Sequence, residues 1–109
     1  MEQHAIVIAD QTGIIRLWNE GAAALIGYSP QEAVGQKLDL VVPPVLRGQH
    51  WHGFGNAMNG GPIASADQFF DLPVLCRTGE TKPLRGQLHV LRNEANNAIG
   101  AMAIFTQPA

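Results

Sequence analysis

Residues 44–61 read PVLRGQHWHGFGNAMNGG, the one long helical stretch in a chain otherwise made of strands and short turns. The diproline Pro43-Pro44 stops what precedes it, and the fixed φ of Pro44 suits the first turn of a helix. Steps of four from Leu46 reach His50, Phe54 and Met58, so an apolar stripe carries a histidine in its middle. His52 lies roughly 200° further round, at ~100° per residue, among Gly48, Gln49, Asn56 and Asn59. His50 is therefore expected to face the core and His52 to face water. Gly48, Gly53 and Gly55 each cost about 1 kcal/mol against alanine inside a helix. They suit a backbone that must lie close to something broad and flat. Stripe, histidine and thinned helix together predict a ligand pocket.

Upstream, residues 5–9 (AIVIA) form a nearly continuous apolar run that reads as a buried strand. Asp10-Gln11-Thr12-Gly13 turns the chain, and residues 14–18 (IIRLW) resume as a second strand with Arg16 outward. Asn19 caps a short helix that Gly27 ends. Ser29, Pro30 and Glu32 make a capping box for another turn or two, closed by Gly35. Residues 37–42 (KLDLVV) read as a short helical turn leading to the diproline.

Downstream, Gly60-Gly61-Pro62 breaks the helix and a loop of small residues, 63–66, follows. Residues 68–76 (QFFDLPVLC) read as a strand with Phe70, Leu72 and Val74 in one phase, and Pro73 makes it an edge strand or a bulge. Arg77-Thr78-Gly79-Glu80 is a hairpin turn. Residues 83–91 then alternate, with Leu84, Gly86, Leu88 and Val90 on one face and Arg85, Gln87 and His89 on the other. After the turn at 93–97, residues 99–105 (IGAMAIF) form the closing strand. The order is two strands, short helices, one longer helix and three strands, in a single domain spanning 1–109.

Composition bounds the function. At 109 residues, 46% hydrophobic, 15% charged and with net charge −2, the chain has one globular core and no basic footprint for nucleic acid. No apolar run approaches the ~20 residues of a membrane span, and MEQHAIVIAD is not a signal sequence. A cytoplasmic protein is expected. The single cysteine, Cys76, excludes an internal disulfide and the paired thiols of covalent haem attachment. No acid pair, nucleophile–base set or phosphate-cradling glycine loop is present, so no enzyme is expected. One zinc ion could not take both His50 and His52, which leave the helix in different directions.

Across nearly its whole length the chain resembles the PAS domain family. Gly13-Ile14-Ile15 with Asn19, then Gly27-Tyr28-Ser29 with Glu32 and Val34-Gly35-Gln36, is similar to that family's amino-terminal signature. Thr78-Gly79 resembles its usual turn, and Gly100 stands where its last strand begins. The resemblance implies an α+β fold: a five-stranded antiparallel sheet with helices covering one face and enclosing a ligand pocket. Within the family, Pro43-Pro44, Arg47 and His50 resemble the haem-binding oxygen sensors of the FixL type, which implies haem b with His50 as the axial iron ligand. Neutral imidazole has the lone pair for that role while its other N–H finds a partner. Phe54, Phe70, Leu72, Gly86, Leu88, Gly100 and Met102 are expected around the cofactor. One departure matters. Phe70 stands where those sensors carry the arginine that contacts oxygen, so an apolar distal wall is expected to favour CO or NO over O2.

The implied function is a sensor of a diatomic gas or of redox state, a homodimer joined through the N-terminal strand and the sheet's outer face, signalling to an effector or kinase domain outside this chain. Two alternatives stand beside it. One is a cofactor-free PAS module for dimerisation or partner docking, with an apolar metabolite in its pocket; the other is a flavin-binding PAS domain. Cys76 does not support a photoactive flavin adduct, because the helix motif of such photosensors is absent. Trp18, Trp51, Phe54, Phe69 and Phe70 could each stack on a cofactor or simply fill the core.

Overall fold

In the computed structural model, which describes residues 4–61 and 68–106, the N-terminal hairpin forms as its residues predict. β1 (Ala5–Asp10) buries every second residue, and β2 (Ile15–Trp18) pairs antiparallel with it. Asp10 builds the turn between them. Its Oδ1 accepts hydrogen bonds from the Thr12 amide, the Thr12 hydroxyl and the Ile14 amide at 2.9, 2.7 and 3.1 Å, and its Oδ2 accepts one from Arg16 Nε at 2.8 Å. Asn19 then joins strand to helix. Its Oδ1 accepts from the amides of Ala22 and Ile6, both at 2.9 Å, while its Nδ2 donates to the His4 carbonyl at 2.8 Å. One side chain thus caps α1 (Glu20–Ile26) and holds the edge of β1.

α1 ends at Gly27, whose φ of 110° only glycine adopts freely. α2 (Pro30–Ala33) starts from the expected capping box of Ser29 and Glu32. The chain next runs back along the hairpin, where the Ile15 amide donates to the Gln36 carbonyl at 2.8 Å and the Leu38 amide to that of Gly13 at 3.0 Å. The turn expected at 37–42 is a 3₁₀ turn, Leu38–Val41; a second, Pro44–Leu46, leads into α3 (Arg47–Met58). The loop expected at 63–66 lies outside the described residues.

β3 (Phe70–Leu75), β4 (Thr81–Arg92) and β5 (Ala98–Phe105) complete an antiparallel sheet in the order β2-β1-β5-β4-β3. β3 is an edge strand, as Pro73 requires. Register settles which residues share a face. Val7 pairs with Ala103, and Ala103 with Leu88; Ile8 pairs with Met102, and Met102 with His89. The helix-covered face therefore carries Val7, Ala9, Ala101, Ala103, Phe105 and Leu88. The other face carries Ile6, Ile8, Met102 and Ile104 beside Arg85, Gln87 and His89. Gly100 and Met102, expected at the pocket, thus stand in the opposite strand phase.

The tightly packed core lies where α1 and α2 meet the sheet, with Ile15 and Ile26 the largest fully buried side chains. Trp18 joins this core and donates from Nε1 to the Tyr28 carbonyl at 2.8 Å. Arg77 fastens the β3–β4 turn to the same layer through its ion pair with Glu32 and by standing 5.8 Å over the Tyr28 ring. α3 covers the rest of the sheet, and there the packing changes.

Asp10 gives this fold an acid-sensitive point. The Thr12 hydroxyl first, then Arg16 and the amides of Ile14 and Thr12, hold its carboxyl well below the usual carboxylate range, against the opposing effect of burial. A depressed folded-state value stabilises the fold above the unfolded-state value, about 3.9, and that contribution fades as pH falls towards the folded value. Asp10→Asn is expected to cost about 1 kcal/mol at pH 7. Urea midpoints of the two proteins should converge as pH drops below about 4; a gap that stays constant with pH would remove the carboxylate from the explanation.

Candidate functional site

Between α3 and the sheet lies a cavity of about 550 Å³. α3 supplies one wall with Gln49, His50, Gly53, Phe54, Asn56 and Ala57. These residues recur at helical spacing, so a single face of the helix looks into the cavity. The expected stripe is right as far as Phe54 but then passes through Ala57, the buried residue of this helix, rather than Met58. Val7, Ala9, Ala101, Ala103 and Leu88 form the floor, and Phe70, Leu72 and Val74 close the side formed by β3. Leu38, Val41, Val42, Pro43 and Leu46 complete the wall ahead of the helix.

Of the expected site residues, the structure brings His50, Phe54, Phe70, Leu72 and Leu88 together on this wall. Gly86 and Gly100 are corrected. A Cβ at Gly86 would stand 2.8 Å from the Phe105 ring and 2.6 Å from the Ile104 carbonyl oxygen, so this glycine makes room for Phe105. A Cβ at Gly100 would collide with the Ala9 carbonyl, so that glycine serves the approach of two strands. Met102 borders the cavity but belongs by register with Ile8 and His89 on the far face. Ala101 and Ala103 hold the positions expected of it, and their small side chains leave the space open. The alternation of large and small residues in IGAMAIF was the available signal, but large apolar residues ordinarily mark the inner face. Of the five candidate aromatics, Phe54 and Phe70 line the cavity. Trp18 is in the core, Phe69 is exposed, and Trp51 has another task.

His50 is half-buried on the cavity wall, with its ring 4.8 Å from Trp51 and 6.0 Å from Phe54 between centroids. Its Nδ1 is buried without a hydrogen-bond partner. Burial favours the neutral imidazole and lowers its pKa, an effect that the Asp39 charge partly offsets. His52 is exposed, as the helical phase predicts, and lies 3.5 Å from Asn56 Nδ2. No group of three or more His, Cys, Asp or Glu capable of caging a bare metal ion occurs among the described residues. Cys76 is buried, which pushes its thiol up, and is not among the residues lining the cavity.

Haem b makes three demands of such a site: an axial histidine, a partner for that ring's outer nitrogen, and an offset for two propionates. His50 is placed to meet the first. The orphaned Nδ1 leaves the second unmet, since ligating histidines almost always donate their other N–H. No Lys or Arg lines the wall to meet the third. The described residues do not fit haem b.

Trp51 points away from the cavity and clamps the helix. Its Nε1 donates to Asp39 Oδ1 at 2.7 Å, and its ring occupies the space that a Cβ on Gly13 would need. Gly13 has φ of 83°, so glycine is required there twice over. Arg47 adds bonds from Nε to the Val42 carbonyl and from Nη2 to that of Asp39, both at 3.2 Å. A methyl placed on Gly48, Gly53 or Gly55 would meet no other element, so these glycines thin the helix without touching a neighbour. Trp51→Phe should lower stability by about 1 kcal/mol through the lost hydrogen bond. Amide exchange should accelerate along α3 and stay unchanged in β4 and β5; uniform acceleration would mean the contact is not a local clamp.

The family model described as PAS fold matches residues 3–108. Among solved structures, the PAS domain of a protein from Colwellia psychrerythraea is 23% identical, with a TM-score of 0.79 over 96% of this chain and 86% of that one. The PAS domain of the quorum-sensing receptor RpfR from Cronobacter turicensis, solved in complexes with BDSF and with C12:0, is 18% identical, with a TM-score of 0.73 over 97% of this chain and 94% of that one. A light-oxygen-voltage domain studied with a flavin analogue is 17% identical, with a TM-score of 0.68 over 98% of this chain and 78% of that one. At these identities the structural likeness establishes the fold alone. The match over nearly the whole sequence, on a sheet and helices of the expected order, makes this chain a member of the PAS fold family.

Proposed function

We propose that this PAS domain is a cytoplasmic sensory module that takes a small, largely apolar molecule into the cavity beneath α3 and reports its presence. The observation that carries this is the cavity itself. Its volume of about 550 Å³ falls within the range of small-molecule sites, roughly 300–1,000 Å³. Its wall is apolar except for His50, Gln49 and Asn56 on the helix and His89 on β4. The domain performs no chemistry in this proposal. Occupancy acts on α3, whose start the Trp51 clamp fixes while its glycines meet no neighbouring element further along, and on the floor strands β4 and β5. The complexes of the Cronobacter receptor domain with BDSF and with C12:0 are a precedent for small-molecule binding by a domain of this fold.

Output would pass to an effector or kinase domain outside this chain, with a second copy meeting the outer face of the sheet. Ile6, Ile8, Met102 and Ile104 lie there, and Leu17 beside them is 41% exposed. Sedimentation should give a dimer at high concentration, and Ile8→Lys should return it to monomer. A wild-type monomer throughout would end that part of the proposal.

Ala103→Leu places a larger side chain on the cavity floor. It should leave the fold intact, raise or preserve thermal stability, and abolish the binding of apolar ligands. Unchanged binding by a folded Ala103→Leu protein would exclude this cavity as the site.

Gas or redox sensing through haem b on His50 has one observation in its favour, the place of His50 on the wall. An absorption spectrum with and without dithionite and CO separates the two readings. The apolar-ligand sensor is colourless, a haem protein red and a flavoprotein yellow. Were the protein red, His50→Ala should lose the Soret band and His52→Ala should keep it.

A further inference from the structure

All seven Lys and Arg residues of the chain fall among the described residues, and none of them lines the cavity. Arg16, Arg77 and Lys82 are engaged with Asp10, Glu32 and Glu80. Lys37 precedes the first 3₁₀ turn, Arg85 is exposed over Phe69, and Arg92 reaches the Asn96 carbonyl. Arg47 stands on α3 itself, one turn ahead of His50. Its guanidinium is committed to the carbonyls of Val42 and Asp39, with the Asp39 carboxylate 3.9 Å away.

From this arrangement, and resting on the cavity being the ligand site, we infer that the domain selects uncharged ligands: an apolar body bearing a neutral hydroxyl, ester or amide, with carboxylates excluded. An anionic head drawn into this wall would lose its water and find no cation, which is the expensive case for a buried charge. His50 offers little compensation, because burial favours its neutral form and the Asp39 charge offsets that only in part. A neutral head loses little water, and the wall offers it the half-buried His50 and His89 and the exposed Gln49 and Asn56. The selectivity is thus set by a wall without Lys or Arg rather than by the shape of the cavity.

The test uses three molecules with the same twelve-carbon chain: dodecanol, dodecanoate and dodecylammonium, titrated at pH 8 below their aggregation limits. Amide shifts of Gly53, Ala57 and Ala103 report occupancy of the cavity. Dodecanol should shift all three amides, and each ion should bind at least about tenfold more weakly, the cost of an unpaired head. Gln49→Lys should narrow the gap, bringing dodecanoate to within about threefold of dodecanol measured on the same variant. Dodecanoate or dodecylammonium binding as tightly as dodecanol would overturn the inference and leave the cavity reading standing. A Gln49→Lys protein that still rejects dodecanoate would also overturn it, since charge would not be the cause. If none of the three moves these amides, the cavity reading itself fails, and this inference with it.

Discussion

The hydrogen bond from Trp51 Nε1 to Asp39, with the indole ring seated against Gly13, holds open the space on which the site depends. α3 is a poor helix by itself. It has twelve residues, three of them glycine, and Ala57 is its buried residue. A helix of that length is marginal in water without tertiary support, and each interior glycine costs it about 1 kcal/mol. Packing on the sheet would be the ordinary remedy, but packing would fill the cavity. The clamp instead fixes the start of the helix to the β1–β2 turn and the first 3₁₀ turn, and the helix spans the cavity from there.

Two kinds of cohesion therefore divide the molecule. Under α1 and α2 the sheet is covered by close-packed side chains, including Ile15, Trp18 and Ile26, with Asn19 and the Ser29–Glu32 capping box satisfying the helix ends. Under α3 the same sheet meets open space. Val7, Val74 and Phe105 belong to both regions, so a change in the cavity acts directly on core residues. An unfilled apolar space forfeits dispersion contacts that a ligand would restore, and a molecule bound only by the folded state stabilises that state by mass action. The His50–Trp51–Phe54 ring contacts run from the cavity wall to the clamp, giving occupancy a short physical route to the N-terminal turn.

Element order, helix caps and the phase of the central helix were legible in the sequence because each is decided locally. Asp10 and Gly13 make their turn, Asn19 and Ser29 cap their helices, and His50 and His52 separate by simple helical geometry. The phase of β5 was misjudged at Gly100 and Met102, although Met102 still borders the cavity. The sheet has apolar residues on both faces, so the alternation in β5 says which residues share a face but not which face meets the helices. Met102 is large and Ala103 small, and residue size alone assigns them the wrong way round. The glycines had a similar ambiguity: Gly86 and Gly100 serve close approaches within the sheet, which no local pattern distinguishes from room for a ligand.

By itself the sequence determined the family, the strands and caps, the inward histidine and the shortage of charge. All of these follow from composition and from contacts within a few residues along the chain. Only the tertiary structure decided that the space beneath α3 stays open, that alanines of β5 floor it, and that Arg47 is already bound to Asp39 and two backbone carbonyls. Those outcomes depend on the register of β5 between β1 and β4 and on a clamp joining residues 13, 39 and 51. Such distances are set by the packing of whole elements, and no periodicity along the chain encodes them.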